Sequence, residues 1–160
     1  VSVRIAPFVA EHAAPVIDVI RDVFVEYGMT FDLDGYDADL LDVAAHYVVP
    51  GGTFAVLLDD RRVIGTVAAL PHGDVECEVK RLYLVPAARG QGHGRRLLEH
   101  VLGWARAAGH RRAVAWSDVR LATAHRVYAR LGFTRMGARD CDDIDRSREY
   151  GFALDLTAGR

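Results

Sequence analysis

Between Arg89 and Gly94 the sequence runs Arg-Gly-Gln-Gly-His-Gly, with three glycines at alternate positions. Before it, Leu82, Tyr83, Leu84 and Val85 are good strand formers, and Pro86 removes a backbone donor and ends the ladder. After it, Leu97, Leu98, Val101, Leu102, Ala105 and Ala108 recur at helical spacing. A strand, a glycine loop and a helix start in that order make an anion site. The first N–H groups of a helix lack intrahelical partners, and the helix dipole places partial positive charge on them. Glycine lets an anion approach without a Cβ in the way. The candidate binding residues are therefore Arg89, Gly90, Gln91, Gly92, His93, Gly94 and Arg95, with Arg96 beside them as a further cation. The ligand expected there carries a phosphate or pyrophosphate.

Other phosphate loops fit less well. A P-loop needs Gly-Lys followed by Ser or Thr, and none occurs. The dinucleotide fingerprint G-x-G-x-x-G fails at its third glycine, because Arg95 follows Gly94. Asp118, at the end of the next strand, keeps a nucleotide-binding domain open as a weaker reading.

Arg89-x-x-Gly92-x-Gly94 after Leu82 to Pro86 resembles the acetyl-CoA signature of the GNAT N-acetyltransferases. Val127-Tyr128-Ala129-Arg130-Leu131-Gly132-Phe133 is similar to that family's second landmark, a tyrosine-bearing helix that ends in Gly-Phe. The resemblance runs from about Arg4 to Leu156. It implies a single N-acetyltransferase domain over residues 1–160, with acetyl-CoA as acyl donor. It also implies that backbone groups at Leu82, Leu84 and Val85 bind the pantetheine arm in a slot beside a bulged strand. Tyr128 matches the tyrosine near the coenzyme sulfur, and Glu78 sits where many members carry a base. Many members have Asn early in the tyrosine helix. Leu121 stands there here, and Ser117, Asp118 or Arg120 could compensate. Homodimers are common in the family.

Acetyl transfer from a thioester to an amine gives these residue types work. An alkyl ammonium has a pKa of ~10.4, so a base or a desolvating site helps to free it. The tetrahedral oxyanion needs a donor, and the leaving thiolate needs a proton, which a tyrosine hydroxyl can supply. Period two places Glu76, Glu78, Lys80, Leu82 and Leu84 on one face of their strand. The alternative is a solvated face, with Glu78 paired to Lys80 or Arg81. Tyr128 also shares a helix face with Leu121, Ala124 and Leu131 and could simply pack.

The remaining composition narrows the class. The chain has 160 residues, of which 51% are hydrophobic and 26% charged, which suits one soluble domain with its own core. A formal net charge of −2 argues against nucleic acid or an anionic membrane as main partner. No apolar run approaches membrane-spanning length. Two cysteines without metal-ligand neighbours and no secretory signal point to the cytoplasm and to no metal. The seven histidines are scattered, with no H-x-x-x-H pair. "DLDG" at 32–35 fails the calcium-loop pattern, since Asp37 stands where Gly is needed and Val43 where Glu is needed.

Along the chain, the pattern predicts a strand over 1–8, a helix over 11–27, a short helix over 38–48, and strands at 53–58, 63–70 and 75–85. A helix over 94–108, a strand at 113–116, a helix over 120–131 and strands at 133–136 and 150–156 follow. That order gives an α/β fold with a mixed, mostly antiparallel sheet of about seven strands and about four helices. The expected activity is acetyl transfer to a primary amine, with a small-molecule acceptor, by direct attack in a ternary complex. A protein amino group as acceptor and a non-catalytic acyl-CoA-sensing module are the alternatives. Asp32, Asp34, Asp37, Asp39 and Asp42 crowd one segment and raise a further expectation, an acidic cleft that draws cationic acceptors.

Overall fold

The computed structural model describes residues 3–157. A seven-stranded sheet runs in the order β1-β2-β3-β4-β5-β7-β6. Its strands are β1 (Val3–Pro7), β2 (Thr53–Asp59), β3 (Arg62–His72), β4 (Glu76–Leu84), β5 (Arg112–Asp118), β6 (Thr134–Asp140) and β7 (Arg148–Asp155). Every neighbouring pair is antiparallel except β4 with β5. Helix α1 (Ala13–Glu26) covers one face, and α2 (His93–Ala107) and α3 (Ala122–Arg130) cover the other. This is the α/β architecture expected from the sequence.

Each face has its own core. Leu57, Val67, Val79, Leu97, Leu98 and Val101 belong to the cluster under α2 and α3. Val16, Ile20, Phe24, Val56, Leu58 and Ala68 belong to the one under α1. Alternation along the inner strands sends neighbouring residues to opposite clusters, which is why β2 and β3 read as continuous apolar runs.

Several boundaries differ from the sequence pattern. The helix expected over 38–48 is two short turns, a 3-10 turn at Ala38–Leu41 and a π turn at Ala44–Val48. Asp42 breaks it with an extended backbone, and its carboxylate caps the next turn by accepting the Ala45 N–H at 3.1 Å. Leu40, Val43 and Tyr47 enter the core, whereas Leu41, Ala44 and Ala45, which a regular helix with Leu40 would have put on its apolar face, are exposed. Strand β6 extends to Asp140, well past Met136, because it is an edge strand of mostly exposed residues and carries little apolar signal. Helix α3 starts at Ala122. Asp118 accepts the Arg120 N–H within the preceding turn, and Leu121 takes the cap position. Part of the first expected strand, Val1 and Ser2, lies outside the described residues.

Candidate active site

Strands β4 and β5 pair only from Glu76 opposite Arg112 to Val79 opposite Ala115. Both continue beyond that point, β4 to Leu84 and β5 to Asp118, so the sheet opens there like a V. The cause lies in β4. Thr66 of β3 pairs with Tyr83 and Ala68 with Lys80, which leaves Arg81 and Leu82 opposite Val67 alone. Arg81 takes the left-handed region at φ 56°. This is a β-bulge, and it bends the strand away from β5.

The bulge also reverses the phase of the strand. Cys77 and Val79 belong to the core under α2 and α3, and so do Leu82 and Leu84, whereas Tyr83 packs on the α1 side. The strict period-two expectation, with Glu78 and Leu82 on one face, is therefore corrected. Glu78 and Leu82 point to opposite sides of the sheet.

Leu82 and Leu84 line a mainly apolar slot with Gly94, Leu121, Ala124 and Val127. Gly94 is buried against Val127 and Leu84, where a Cβ would meet Val127 Cγ2 in ordinary contact at 3.4 Å. The other two strand-end expectations divide. The Val85 N–H is engaged with the Ile64 carbonyl at 3.0 Å, and the Leu84 carbonyl accepts Arg89 Nη2 at 2.9 Å. All three lie beyond the last β5 pair, and Leu82 has no register partner on β3 either.

At the mouth of the slot the chain turns through Gly90 at φ 76° and Gly92 at φ 82°. The Arg96 N–H bonds the Gly92 carbonyl at 3.1 Å, so the amides of His93, Gly94 and Arg95 form the first turn that a helix leaves without intrahelical partners. The cations around it are otherwise employed. Arg89 forks onto Glu26, Arg95 pairs with Glu99 at 2.6 Å, and Arg96 lies 3.2 Å from His93 Nδ1. Gln91 donates to the Ala87 carbonyl at 2.9 Å. The anion-binding capacity of this loop rests first on backbone amides.

Beyond the slot lies a larger hollow lined by Leu82, Tyr83, Trp116, Ser117, Leu121 and Tyr128, among others. Tyr128 is 4% exposed and stacks on Phe152 with ring centroids 5.1 Å apart. Burial pushes its hydroxyl well above the ordinary tyrosine range, helped by the nearby Tyr83 and Glu78, so it stays protonated at neutral pH. Glu78 lines an adjoining hollow with Lys80, Tyr36, Trp116 and Arg139. Its carboxylate lies 3.3 Å from His72 Nε2 and 3.9 Å from Lys80 Nζ. The two hollows share Tyr36, Lys80, Arg81, Tyr83, Trp116 and Glu149 as a common wall. Tyr128 lines the first of these hollows and Glu78 the second.

Two aspartates of the acidic segment are paired with a buried cation. Arg81 holds both Asp37 and Asp39. Near the other end of the larger hollow, Arg120 pairs with Asp118 at 2.9 Å and approaches Asp145 at 4.0 Å. Asp145 in turn accepts the Thr30 N–H at 2.7 Å and its hydroxyl at 2.6 Å. His125 Nε2 and Ser117 Oγ lie 3.1 Å apart. Sequence spacing could not find these contacts, because Arg81 is 44 residues from Asp37 and Thr30 is 115 from Asp145. Among the described residues, no group of three or more His, Cys, Asp or Glu could hold a metal ion. Nor is any helix long and apolar enough to cross a membrane.

Residues 17–133 match the acetyltransferase (GNAT) family. The chain is 33% identical over 121 residues to the N-acetyltransferase YjgM of Escherichia coli, with 72% of each chain covered. Its fold superposes on a GNAT-family acetyltransferase of Staphylococcus aureus Mu50 with a TM-score of 0.87 at 17% identity, over 97% of this chain and 99% of that one. A similar superposition holds for YncA of Salmonella typhimurium, solved with acetyl-CoA, with a TM-score of 0.76 at 20% identity, over 98% and 95%. The chain belongs to the GNAT family and is an N-acetyltransferase.

Proposed function

We propose that this protein, acting as one N-acetyltransferase domain, transfers the acetyl group of acetyl-CoA to the primary amine of a small molecule by direct attack in a ternary complex. The observation that carries this reading is the continuous path from the glycine loop, through the V between β4 and β5, to the hollow at Tyr128. The amides of residues 90–95 would hold the pyrophosphate, and the apolar slot at Leu82 and Leu84 would hold the pantetheine arm.

The amine nitrogen attacks the thioester carbon, and the oxyanion forms beside the Leu82 backbone, which has a register partner on neither β3 nor β5. The C–S bond then breaks, and the thiolate takes its proton from the Tyr128 hydroxyl. Glu78 removes a proton from the amine. Because Glu78 faces the adjoining hollow, that proton travels by way of water. A hydroxyl held protonated by burial and a carboxylate in the adjoining hollow divide acid and base work between them.

The test is release of free thiol from acetyl-CoA with a panel comprising an amino acid, a polyamine, an aminoglycoside and a lysine-bearing peptide. Turnover with a small amine is expected. Preference for the peptide would shift the acceptor to a protein amino group. Tight CoA binding without any turnover would overturn the catalytic assignment.

A further inference from the structure

Arg81 is a costly residue to place where it stands. A non-glycine residue in the left-handed region is strained by its Cβ, yet the bulge of β4 carries arginine at φ 56°. Its side chain is only 9% exposed, so a full positive charge is buried. Buried charge persists where partners satisfy it, and here they do. Nη1 donates to Asp37 Oδ1 at 2.9 Å, Nε to Asp39 Oδ2 at 3.1 Å, and Nη2 to Asp39 Oδ1 at 2.5 Å.

Both carboxylates are held from behind. The second oxygen of Asp37 accepts the Asp32 N–H at 2.8 Å, and Asp39 Oδ2 also accepts the Tyr47 hydroxyl at 2.5 Å. On the strand side, the Arg81 carbonyl accepts the Thr66 hydroxyl at 2.7 Å. One residue is thus pinned at its backbone to β3 and at its guanidinium to the 32–41 segment. Asp32, Tyr36 and Asp37 of that segment form a wall of the hollow that Leu82 enters from the other side.

We propose that Arg81 is a positioning residue that sets the 32–41 wall against the bulge, and so fixes where the acceptor amine sits relative to the thioester. This rests on the acetyltransferase reading above. Donor binding is anchored elsewhere, on the glycine loop and the apolar slot, so the loss should fall on the acceptor and on turnover.

Three variants separate this from simple scaffolding. Arg81→Gly suits the left-handed backbone and preserves the bulge, but deletes the tie. Asp37→Asn with Asp39→Asn loosens the tie from the loop and leaves β4 untouched. Arg81→Lys keeps the charge without the fork. The probe is the panel amine that the wild-type protein acetylates fastest, with CoA affinity read by calorimetric titration. For Arg81→Gly the expected result is a loss of about 30-fold or more in kcat/KM for the amine, with the CoA Kd changed by less than about threefold. The double variant should fall in the same direction, and Arg81→Lys should recover part of the loss. Wild-type kcat/KM in a folded Arg81→Gly protein, or a CoA Kd that weakens in parallel with activity, would overturn the proposal. Should Arg81→Gly fail to fold, the double variant and Arg81→Lys decide by the same two readings. An absence of turnover in the wild-type protein strikes the acetyltransferase assignment instead. Hydrogen exchange then decides the tie: faster exchange over 32–41 with none at 90–95 is expected in Arg81→Gly, and unchanged exchange over 32–41 refutes it.

Discussion

Arg89 extends its guanidinium onto the Glu26 carboxylate at 2.6 and 2.8 Å, and the same Nη2 reaches the Leu84 carbonyl at 2.9 Å. The signature arginine therefore joins the end of α1 to the end of β4 and braces the loop that follows. The bond from Arg89 holds the Glu26 carboxyl below its usual range. Glu26→Gln should change stability by less than about 1 kcal/mol, as exposed pairs do. It should nonetheless weaken CoA binding, because the loop loses its brace. Calorimetric titration of CoA checks this, and an unaltered Kd would show that the brace is irrelevant to the ligand.

Acetyl-CoA should raise the melting temperature, since a ligand of the folded state alone adds ~2.7 kcal/mol at a hundredfold excess over Kd. Gly92→Glu should abolish that shift. It forces a side chain at φ 82° and puts negative charge at the helix start, against the pyrophosphate. A folded Gly92→Glu protein that still shows the full shift removes this loop as the phosphate site.

Tyr128→Phe keeps the ring stacked on Phe152 and deletes only the hydroxyl. If that hydroxyl protonates the thiolate, kcat should fall by ~10²–10⁴-fold while CoA affinity stays near wild type. Equal kcat in the two proteins would reduce Tyr128 to a packing residue.

Burial depresses the His125 pKa below its ordinary value of 6.5, and Arg135 and Arg126 add to the effect. The folded protein then binds fewer protons at this site than the unfolded chain below about pH 6.5. Its contribution to stability is present above that pH and declines as pH falls toward the depressed value. The lowered carboxylates Asp39 and Asp118 act only at more acidic pH. Melting temperature should therefore fall between pH 7.5 and 5.5 in the wild-type protein, and less so in His125→Gln. Parallel curves for the two proteins would show that His125 is not the group responsible.

The loop from Arg89 to Gly94 and the helix of Tyr128 were legible because their determinants are local. Glycine spacing, a proline stop and a 3.6-residue apolar period act within a few residues. The order of elements along the chain and the mixed sheet followed for the same reason, since apolar runs between turn residues mark the strands.

Other features had no local signal. A bulge at Arg81 breaks period two, and nothing in a Lys-Arg-Leu-Tyr run marks which residue will turn left-handed. That one residue separates Glu78 from Leu82 across the sheet. The fate of the acidic segment was likewise undecided by composition: five aspartates read as a negative cleft until a buried guanidinium claimed two of them. The sequence by itself determined most of the elements, the glycine loop before α2 and the family, because those depend on periodicity and backbone freedom over short stretches. Only the tertiary structure decided which charges meet, which backbone groups stay open and which face each strand residue takes. Those outcomes depend on contacts between residues tens of positions apart, where a single extra residue in a ladder reverses the side.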